Sequence, residues 1–157
     1  MIPITESFVT QLSNEARITA RKRKNYNYHK LLSDTLQRLL NAMEPDTYVQ
    51  PHKHDNPDKR EAFIIIKGEV LVVEFDDHGE ITEHIILNHS KGNYGVEIQE
   101  KTWHTLISLK PGSVVYELKD GPYNPENDKK FADWAPVEGS EEAKNFNLRV
   151  LEKLNIL

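Results

Sequence analysis

Residues 48–67 read YVQPHKHDNPDKREAFIIIK and contain two candidate strands, Tyr48–His54 and Glu61–Lys67. Side chains two residues apart in a strand point to the same face, so His52 and His54 can bind one metal ion together. Glu61 opens the second strand and adds a carboxylate near this pair. The segment therefore predicts a β-structure that carries a metal site.

Further short segments follow that are rich in Val, Ile, Tyr and Phe and are separated by turn residues. Asp76–Glu80 and Lys110–Gly112 have the composition of hairpin connections. This spacing predicts a mainly β fold, either a sandwich or a small barrel. The additional candidate strands are Val70–Phe75, Ile81–Leu87, Tyr94–Ile98, Trp103–Leu109 and Val114–Lys119.

The two ends of the chain have helical patterns. Phe8, Leu12 and Ala16 recur every four residues, and Thr5 can cap this predicted helix. Ser140 can cap a second helix, whose apolar stripe would contain Phe146, Val150 and Leu154. Residues 36–44 fit either a helix or a strand, and residues 120–139 form a predicted loop rich in proline.

Composition excludes several classes of function. The 157 residues carry a formal net charge of −5 and no cysteine, which excludes disulfides and thiolate ligands. The basic run Arg21–Lys24 is interpreted as the end of the first helix rather than as a nucleic-acid site, because the chain is acidic. Without an apolar span or a secretory leader, we expect a soluble cytoplasmic protein with no membrane or nucleic-acid partner.

The metal-site segment and several others resemble the WbuC family of cupin-fold metalloproteins. In the first cupin motif, His-x-His is followed by Glu and, after six intervening residues, by Gly, which here is Gly68; His104 resembles the histidine of the second motif. The stretches that resemble the WbuC family are Gln37–Pro45, Thr47–His54, Gly95–Ile98, Thr102–Thr105 and Gly121–Pro136, together with Asn25, Asn27 and His29.

The resemblance, which covers about residues 5–139, implies a cupin β-barrel of the double-stranded β-helix or jelly-roll type, and the helical patterns add a helix at each end. We therefore expect a single domain with an N-terminal helix and covering segment (1–35), the barrel (36–120), and a proline-rich loop with the C-terminal helix (121–157). The resemblance also implies metal ligation by His52, His54, Glu61 and His104. Compared with the general motif, His54 and Glu61 are separated by a longer insert, residues 55–60.

Four further residues are candidates for substrate contact or proton transfer near this site. His29 could fold over the barrel mouth, and Arg38 would suit an anionic group if residues 36–44 are a strand. His29, Tyr48 and Glu97 are the candidates for a general base.

The ligand set predicts one divalent transition metal per chain, with zinc, iron, nickel, manganese and cobalt all compatible. We expect a metalloenzyme that acts on a small polar, sugar-like or carboxylated metabolite, by isomerisation, epimerisation, hydrolysis or Fe(II)-dependent oxygen chemistry. The WbuC resemblance adds an association with surface-polysaccharide (O-antigen) metabolism. The alternative is a non-catalytic protein that binds or senses such a ligand.

A homodimer is also expected from two candidate strand segments. Ile64–Ile66 and Leu71–Val73 are apolar on both faces and need cover from a helix or from a second subunit.

Overall fold

A computed structural model describes residues 1–156 as two five-stranded antiparallel sheets with a helix near each end of the chain. The mainly β fold with a helix near each end, predicted from the sequence, is confirmed. The elements are α1 (Glu6–Ile18), β1 (Arg23–Asn27), β2 (Leu36–Met43), β3 (His52–Lys53), β4 (Glu61–Lys67), β5 (Val70–Phe75), β6 (Ile81–Leu87), β7 (Gly95–Ile98), β8 (Trp103–Ser108), β9 (Ser113–Asp120), β10 (Lys130–Phe131) and α2 (Glu141–Lys153).

The first sheet has the strand order β1-β2-β9-β4-β7, and the second has the order β10-β3-β8-β5-β6. Apolar side chains from both sheets pack together between them, because alternate residues of each strand point inward. This interior cluster consists of Met43, Phe63, Ile65, Val70, Val72, Leu87, Ile98, Leu106 and Val115.

The helices cover the outer faces of the sheets. Helix α1 begins after Thr5, whose side chain accepts a hydrogen bond from the Phe8 amide, and it packs Val9 and Leu12 on the first sheet. Helix α2 begins after Ser140, whose hydroxyl accepts one from the Ala143 amide. Both predicted caps are confirmed. Within residues 1–156, no helix is both long and apolar enough to cross a lipid bilayer.

The helices cover part of the apolar surface from which the homodimer was predicted, and the homodimer itself stays a prediction. Leu71 and Val73 are fully buried in the cluster that α2 forms with the second sheet, and Ile66 packs against the α1 cluster. Of the apolar segment 64–66, Ile64 is the residue with substantial exposure, at 41%. One chain therefore supplies most of the cover for which a second subunit was expected.

The basic run does not end a helix, so that interpretation is wrong. Helix α1 stops at Ile18, and Arg23 begins the edge strand β1, which pairs along its length with β2. Arg21 and Arg23 both bind the Glu138 carboxylate, with their closest N–O distances at 2.7 Å. Strand β1 has a polar sequence and is held by its pairing with β2, so hydrophobic periodicity does not reveal it.

Two other segments differ from expectation, and one open assignment is resolved. Residues 36–44, for which helix and strand were both open, contain strand β2. Only His52–Lys53 of the predicted strand Tyr48–His54 is paired, and the predicted loop 120–139 contains β10. Because β1 joins the first sheet, residues 1–35 contribute a strand as well as a cover; the three-part division of the chain otherwise stays a prediction.

Substitution of Gly68 by alanine is expected to destabilise the fold by about 3 kcal/mol. Gly68 turns the chain between β4 and β5 at φ +81°, and a Cβ there would lie 2.7 Å from the Ser113 Cα. The cost combines left-handed backbone strain with a backbone clash. Gly92→Ala is the matched control, because Gly92 has the same φ with nothing within 4 Å, and should cost about 1 kcal/mol. Equal losses in urea unfolding would exclude the clash with Ser113.

Candidate metal centre

Four side chains that the sequence singled out lie together at one end of the space between the sheets. His52 is on β3, His54 follows it, Glu61 begins β4 and His104 is on β8. One ligand atom from each lies within 4.8 Å of the others, and all four residues are buried. Such a cluster of three imidazoles and one carboxylate is compatible with a bound metal ion.

Strand pairing explains this convergence. His52 lies directly opposite His104 in the β3–β8 ladder, so both side chains point to the same face. Glu61 lies opposite Lys119 in the β4–β9 ladder, at the end of the facing sheet. The site therefore combines residues of both sheets, and His104 comes from a strand that is far from the other three residues in sequence.

Backbone carbonyls fix the orientation of all three imidazoles. His52 Nδ1 is 2.9 Å from the Gln50 oxygen, His104 Nδ1 is 2.9 Å from the Thr102 oxygen, and His54 Nδ1 contacts the Asp128 oxygen. A carbonyl only accepts, so each Nδ1 carries the proton and donates it. This leaves the Nε2 atom of each neutral ring as a lone-pair donor, the arrangement typical of metal-binding histidines.

The Nε2 atoms are the reason to infer a cation. Those of His52 and His54 are buried and have no hydrogen-bond partner, and Glu61 Oε2 lies 2.9 Å from His104 Nε2 and 3.5 Å from His54 Nε2. Lone pairs that face one another in a buried site repel unless a proton or a metal ion lies among them. The donor set therefore fits a divalent metal.

The charge balance around the cluster favours the metal-binding protonation states. Burial lowers the pKa of His52 well below its usual value, and the Lys129 charge lowers it further, so the ring stays neutral. Burial raises the pKa of Glu61, but the neighbouring imidazoles of His104 and His54 and the Lys119 charge outweigh this effect and hold the pKa well below its usual range. Glu61 is therefore ionised at neutral pH.

A buried ion network supports His54 from behind. Asp128, whose carbonyl oxygen contacts the imidazole, binds Lys59 Nζ and Lys119 Nζ through its two carboxylate oxygens, each at 2.6 Å. Burial raises the Asp128 pKa, but the two lysines lower it more. Lys59 belongs to the 55–60 insert that separates His54 from Glu61. The insert thus contributes a side chain that fixes the segment holding His54.

Asp128→Asn is expected to weaken metal binding by about 10–100-fold, the usual effect of removing support from a metal-ligating histidine. The amide keeps the size of the side chain but loses the charge that balances the two lysines. Asp120→Asn is the control, since Asp120 pairs with the exposed Arg60. Metal titration by calorimetry provides the comparison, and equal affinities for the two variants would show that the network does not position His54.

A cavity of about 580 Å³ opens beside His52. Its wall is formed mainly by inward-facing residues of β1, β2 and β9 and by the segment before β10. Polar and charged side chains predominate, with a few apolar ones. The lining includes Arg23, Asn25, Asn27, His29, Gln37, Leu39, Asn41, Val49, Gln50, Glu117, Lys119, Tyr123, Lys129, Phe131 and Glu138.

Of the four additional candidates from the sequence, the structure brings His29 alone to this cavity within residues 1–156. Arg38 lies opposite Leu118 in the β2–β9 ladder, whereas the cavity-lining Leu39 lies opposite Glu117, so Arg38 is on the other face of β2. The segment is a strand, as the proposal for Arg38 required, but the alternation turns Arg38 away.

Tyr48 and Glu97 also lie away from the cavity. Tyr48 packs against Phe146 of α2, and its hydroxyl donates to the Pro136 oxygen at 2.8 Å. Glu97 is an exposed residue of the edge strand β7.

Sequence analysis missed Glu117, Lys119 and Lys129. The first two alternate with Val115 on the inward face of β9, which is the one signal that could have identified them. Burial and the charge of Glu61 raise the pKa of Glu117 to about 7. A buried carboxyl group with this pKa can exchange a proton near neutral pH.

Comparison with known proteins gives a family and a fold. A family model described as "Domain of unknown function (DUF6016)" matches residues 4–87. No curated protein matches the chain.

The solved structures with similar folds include a cupin superfamily protein and two proteins whose names refer to a sugar or a polysaccharide. A cupin superfamily protein from Desulfitobacterium hafniense is 13% identical with a TM-score of 0.52, over 69% of this chain and 86% of that one. L-ribose isomerase from Cellulomonas parahominis, solved with L-ribose, is 15% identical with a TM-score of 0.55, over 74% and 72%.

The third neighbour is the capsular polysaccharide assembling protein CapF from Staphylococcus aureus. It is 20% identical with a TM-score of 0.59, over 73% of this chain. The match spans only 30% of the length of CapF. At these identities, the three neighbours establish the cupin fold alone.

Proposed function

Because the chain belongs to the DUF6016 family, whose description assigns no activity, we propose from its site that it is a metal-dependent cupin-fold enzyme acting on a small polar, sugar-like or carboxylated metabolite. One observation carries the proposal: three buried imidazoles donate Nδ1–H to backbone carbonyls and turn Nε2 toward the Glu61 carboxylate. The adjoining polar cavity has room for a small ligand.

In this proposal, His52, His54, Glu61 and His104 hold one divalent transition metal per chain. When bound, the metal would supply Lewis acidity toward an oxygen of the ligand. The imidazole and carboxylate donors suit zinc, iron, nickel, manganese and cobalt alike. The carbonyls of Gln50, Thr102 and Asp128 keep the three rings oriented whether or not a ligand is present.

Glu117 is the residue of the cavity wall best placed to move a proton. Its carboxylate is inward-facing, lines the cavity, and accepts a hydrogen bond from Asn41 Nδ2 at 3.3 Å. A carboxylate there can take a proton from a carbon of the bound ligand onto one of its own oxygens and then return it. Isomerisation and epimerisation require such a transfer. His29 also lines the cavity, and its Nδ1 lies 3.1 Å from both the amide nitrogen and the carbonyl oxygen of Arg38, which fix the ring in place.

The names of the solved neighbours support a sugar-like ligand. L-ribose isomerase was solved with L-ribose, and CapF is described as assembling capsular polysaccharide. The WbuC resemblance of the sequence points in the same direction, toward surface-polysaccharide metabolism. We therefore propose carbohydrate metabolism as the setting of the reaction.

The alternative is a non-catalytic protein in which the metal anchors a ligand that is bound or sensed without conversion. Conversion of the ligand distinguishes the two. Metal-loaded protein is incubated with aldoses, ketoses and sugar acids, and proton NMR in D₂O follows isomerisation and exchange at carbon. Exchange that Glu117→Gln abolishes supports the enzyme, whereas binding without exchange supports the sensor.

Metal content is the direct test of the proposed site. Protein purified without added metal is expected to contain close to one transition-metal atom per chain by elemental analysis. The exposed His84 provides a control, because His84→Ala should leave the content unchanged. A metal-free wild-type chain that also fails to bind zinc or iron on titration would contradict the proposed function.

Acidification is expected to release the metal below about pH 6.5, because protons compete for the histidine nitrogens. The metal-free protein should also lose stability there. The folded pKa of His52 is well below the unfolded value of 6.5, so the unfolded chain binds the extra proton first as the pH falls. Stability is therefore full above about pH 6.5 and declines below it. Metal retention unchanged to about pH 3 after gel filtration would contradict histidine ligation.

A further inference from the structure

The cavity beside the candidate metal centre contains one cation whose charge is not balanced by a direct partner. Arg23 lines the wall but binds Glu138 at 2.7 Å, and Lys119 binds Asp128 at 2.6 Å. Among the residues that the structure describes, Lys129 makes no hydrogen bond or ion pair, although it lines the same wall. Its ammonium group is therefore available to a ligand.

The chain holds Lys129 in a fixed position relative to the metal site. The residue before it, Asp128, contacts His54 through its carbonyl oxygen, and Phe131, two residues after it, pairs with His52 in the β10–β3 ladder. The Lys129 charge is close enough to lower the pKa of His52. A ligand that reaches the metal site would thus have the ammonium group beside it.

The surroundings of Lys129 favour pairing with an anion. The side chain of Lys129 is exposed and lines the cavity, so a ligand there can reach its ammonium group. Partial desolvation lowers the Lys129 pKa, and the charges of Glu61 and Glu117 oppose this lowering. A carboxylate or a phosphate that enters the cavity can form a charge-assisted hydrogen bond with this ammonium group.

Amide side chains on the same wall suit hydroxyl groups. Asn25 and Asn27 lie opposite Asn41 and Leu39 in the β1–β2 ladder and so face the cavity. The Asn41 Oδ1 atom is buried and has no hydrogen-bond partner. A ligand hydroxyl can donate to this oxygen, and amide nitrogens can donate to other ligand oxygens.

We propose that the cavity binds a small hydroxylated acid, with its carboxylate or phosphate paired to Lys129 Nζ and its hydroxyls bound by Asn25, Asn27 and Asn41. This inference rests on the proposed function and narrows its substrate to an anionic one. Neutral sugars lack the group that pairs with Lys129 and bind weakly. Lys129 thus has the specificity role that the sequence suggested for Arg38.

The test uses the zinc-loaded protein and four probes that share one carbon skeleton: D-glucose, D-gluconate, D-glucuronate and D-glucose 6-phosphate. Binding is measured by calorimetry, and the zinc content of every sample is measured in parallel. At least one acid should bind at least 10-fold more tightly than glucose, since hydrogen bonds to charged groups contribute on this scale. The carboxylate and phosphate probes show which anion is preferred.

Lys129→Met is expected to weaken binding of the preferred acid by about 10-fold or more and to leave the zinc content unchanged. Lys130→Met is the matched control, because Lys130 is the next residue and is exposed like Lys129, but it is not among the residues that line the cavity and it pairs with Asp55 at 3.6 Å. It should change affinity by less than about threefold. Asn41→Leu should weaken the binding of the acids and of glucose to a similar extent.

Three results would overturn the proposal: glucose binding as tightly as the acids, none of the acids binding, or Lys129→Met matching Lys130→Met in acid affinity. Each of these results is obtained with zinc-loaded protein, so it contradicts the proposed ligand and not the metal site. Loss of zinc from the wild-type chain instead refutes the proposed function, and the two failures are thereby distinguishable.

Discussion

The double variant His52→Ala/His54→Ala is expected to contain no bound metal after purification or after titration with micromolar zinc. Removal of support around a metal ligand already costs about 10–100-fold in affinity, and loss of two ligands should cost at least the product of two such factors. The measurement is elemental analysis together with calorimetric titration.

The matched control for that variant is His78→Ala/His84→Ala, which removes two exposed imidazoles from the same chain. It should keep the wild-type metal content. Far-ultraviolet circular dichroism checks that both proteins retain their sheets, because the interior cluster of the two sheets does not include the histidines. Unchanged metal content in the His52/His54 variant would refute the proposed centre.

Glu61→Gln is expected to weaken metal binding by at least about 10–100-fold, because a neutral amide is a poorer donor than a carboxylate. It also removes the negative charge that faces His104 Nε2 at 2.9 Å. Glu117→Gln provides a close control: it replaces another buried carboxyl group between the same sheets, outside the four-residue cluster. Its metal affinity should stay within about threefold of wild type, while the carbon exchange expected of the enzyme is lost.

Two outcomes separate a four-ligand site from a three-histidine site. If Glu61→Gln binds metal within about twofold of wild type while His104→Ala does not bind it, the carboxylate is not a ligand and the histidines act alone. If both variants lose the metal, all four residues contribute. Zinc titration monitored by competition with a chromophoric chelator resolves affinities over this range.

Much of the fold follows from local alternation in the sequence. Strands β4, β5 and β6 begin and end where the pattern predicts, because each has enough β-branched and aromatic residues to define a pleated surface between turns. Both helix caps follow from Ser or Thr placed before an apolar stripe. The pair His52 and His54, with Glu61 and His104, could be identified from motif spacing because motif spacing reflects strand geometry.

Other features depend on contacts that no local pattern contains. Strand β1 has a polar sequence and forms by pairing with β2. Arg38 and Glu117 differ in access to the cavity because the two-residue period of a strand turns Arg38 outward and Glu117 inward. The sequence alone cannot show which face of a strand will be inside.

The sequence by itself determined a mainly β fold, since alternation depends on local strand geometry, and its resemblance to the cupin motifs indicated the cupin class and the four side chains that meet in the buried cluster. Only the tertiary structure decided which charges remain available in the cavity. Lys119 is balanced by Asp128 and Arg23 by Glu138, whereas Lys129 has no such partner among the described residues. The neutralisation of a charge depends on distances between segments far apart in the chain, and these are fixed only when the two sheets pack together.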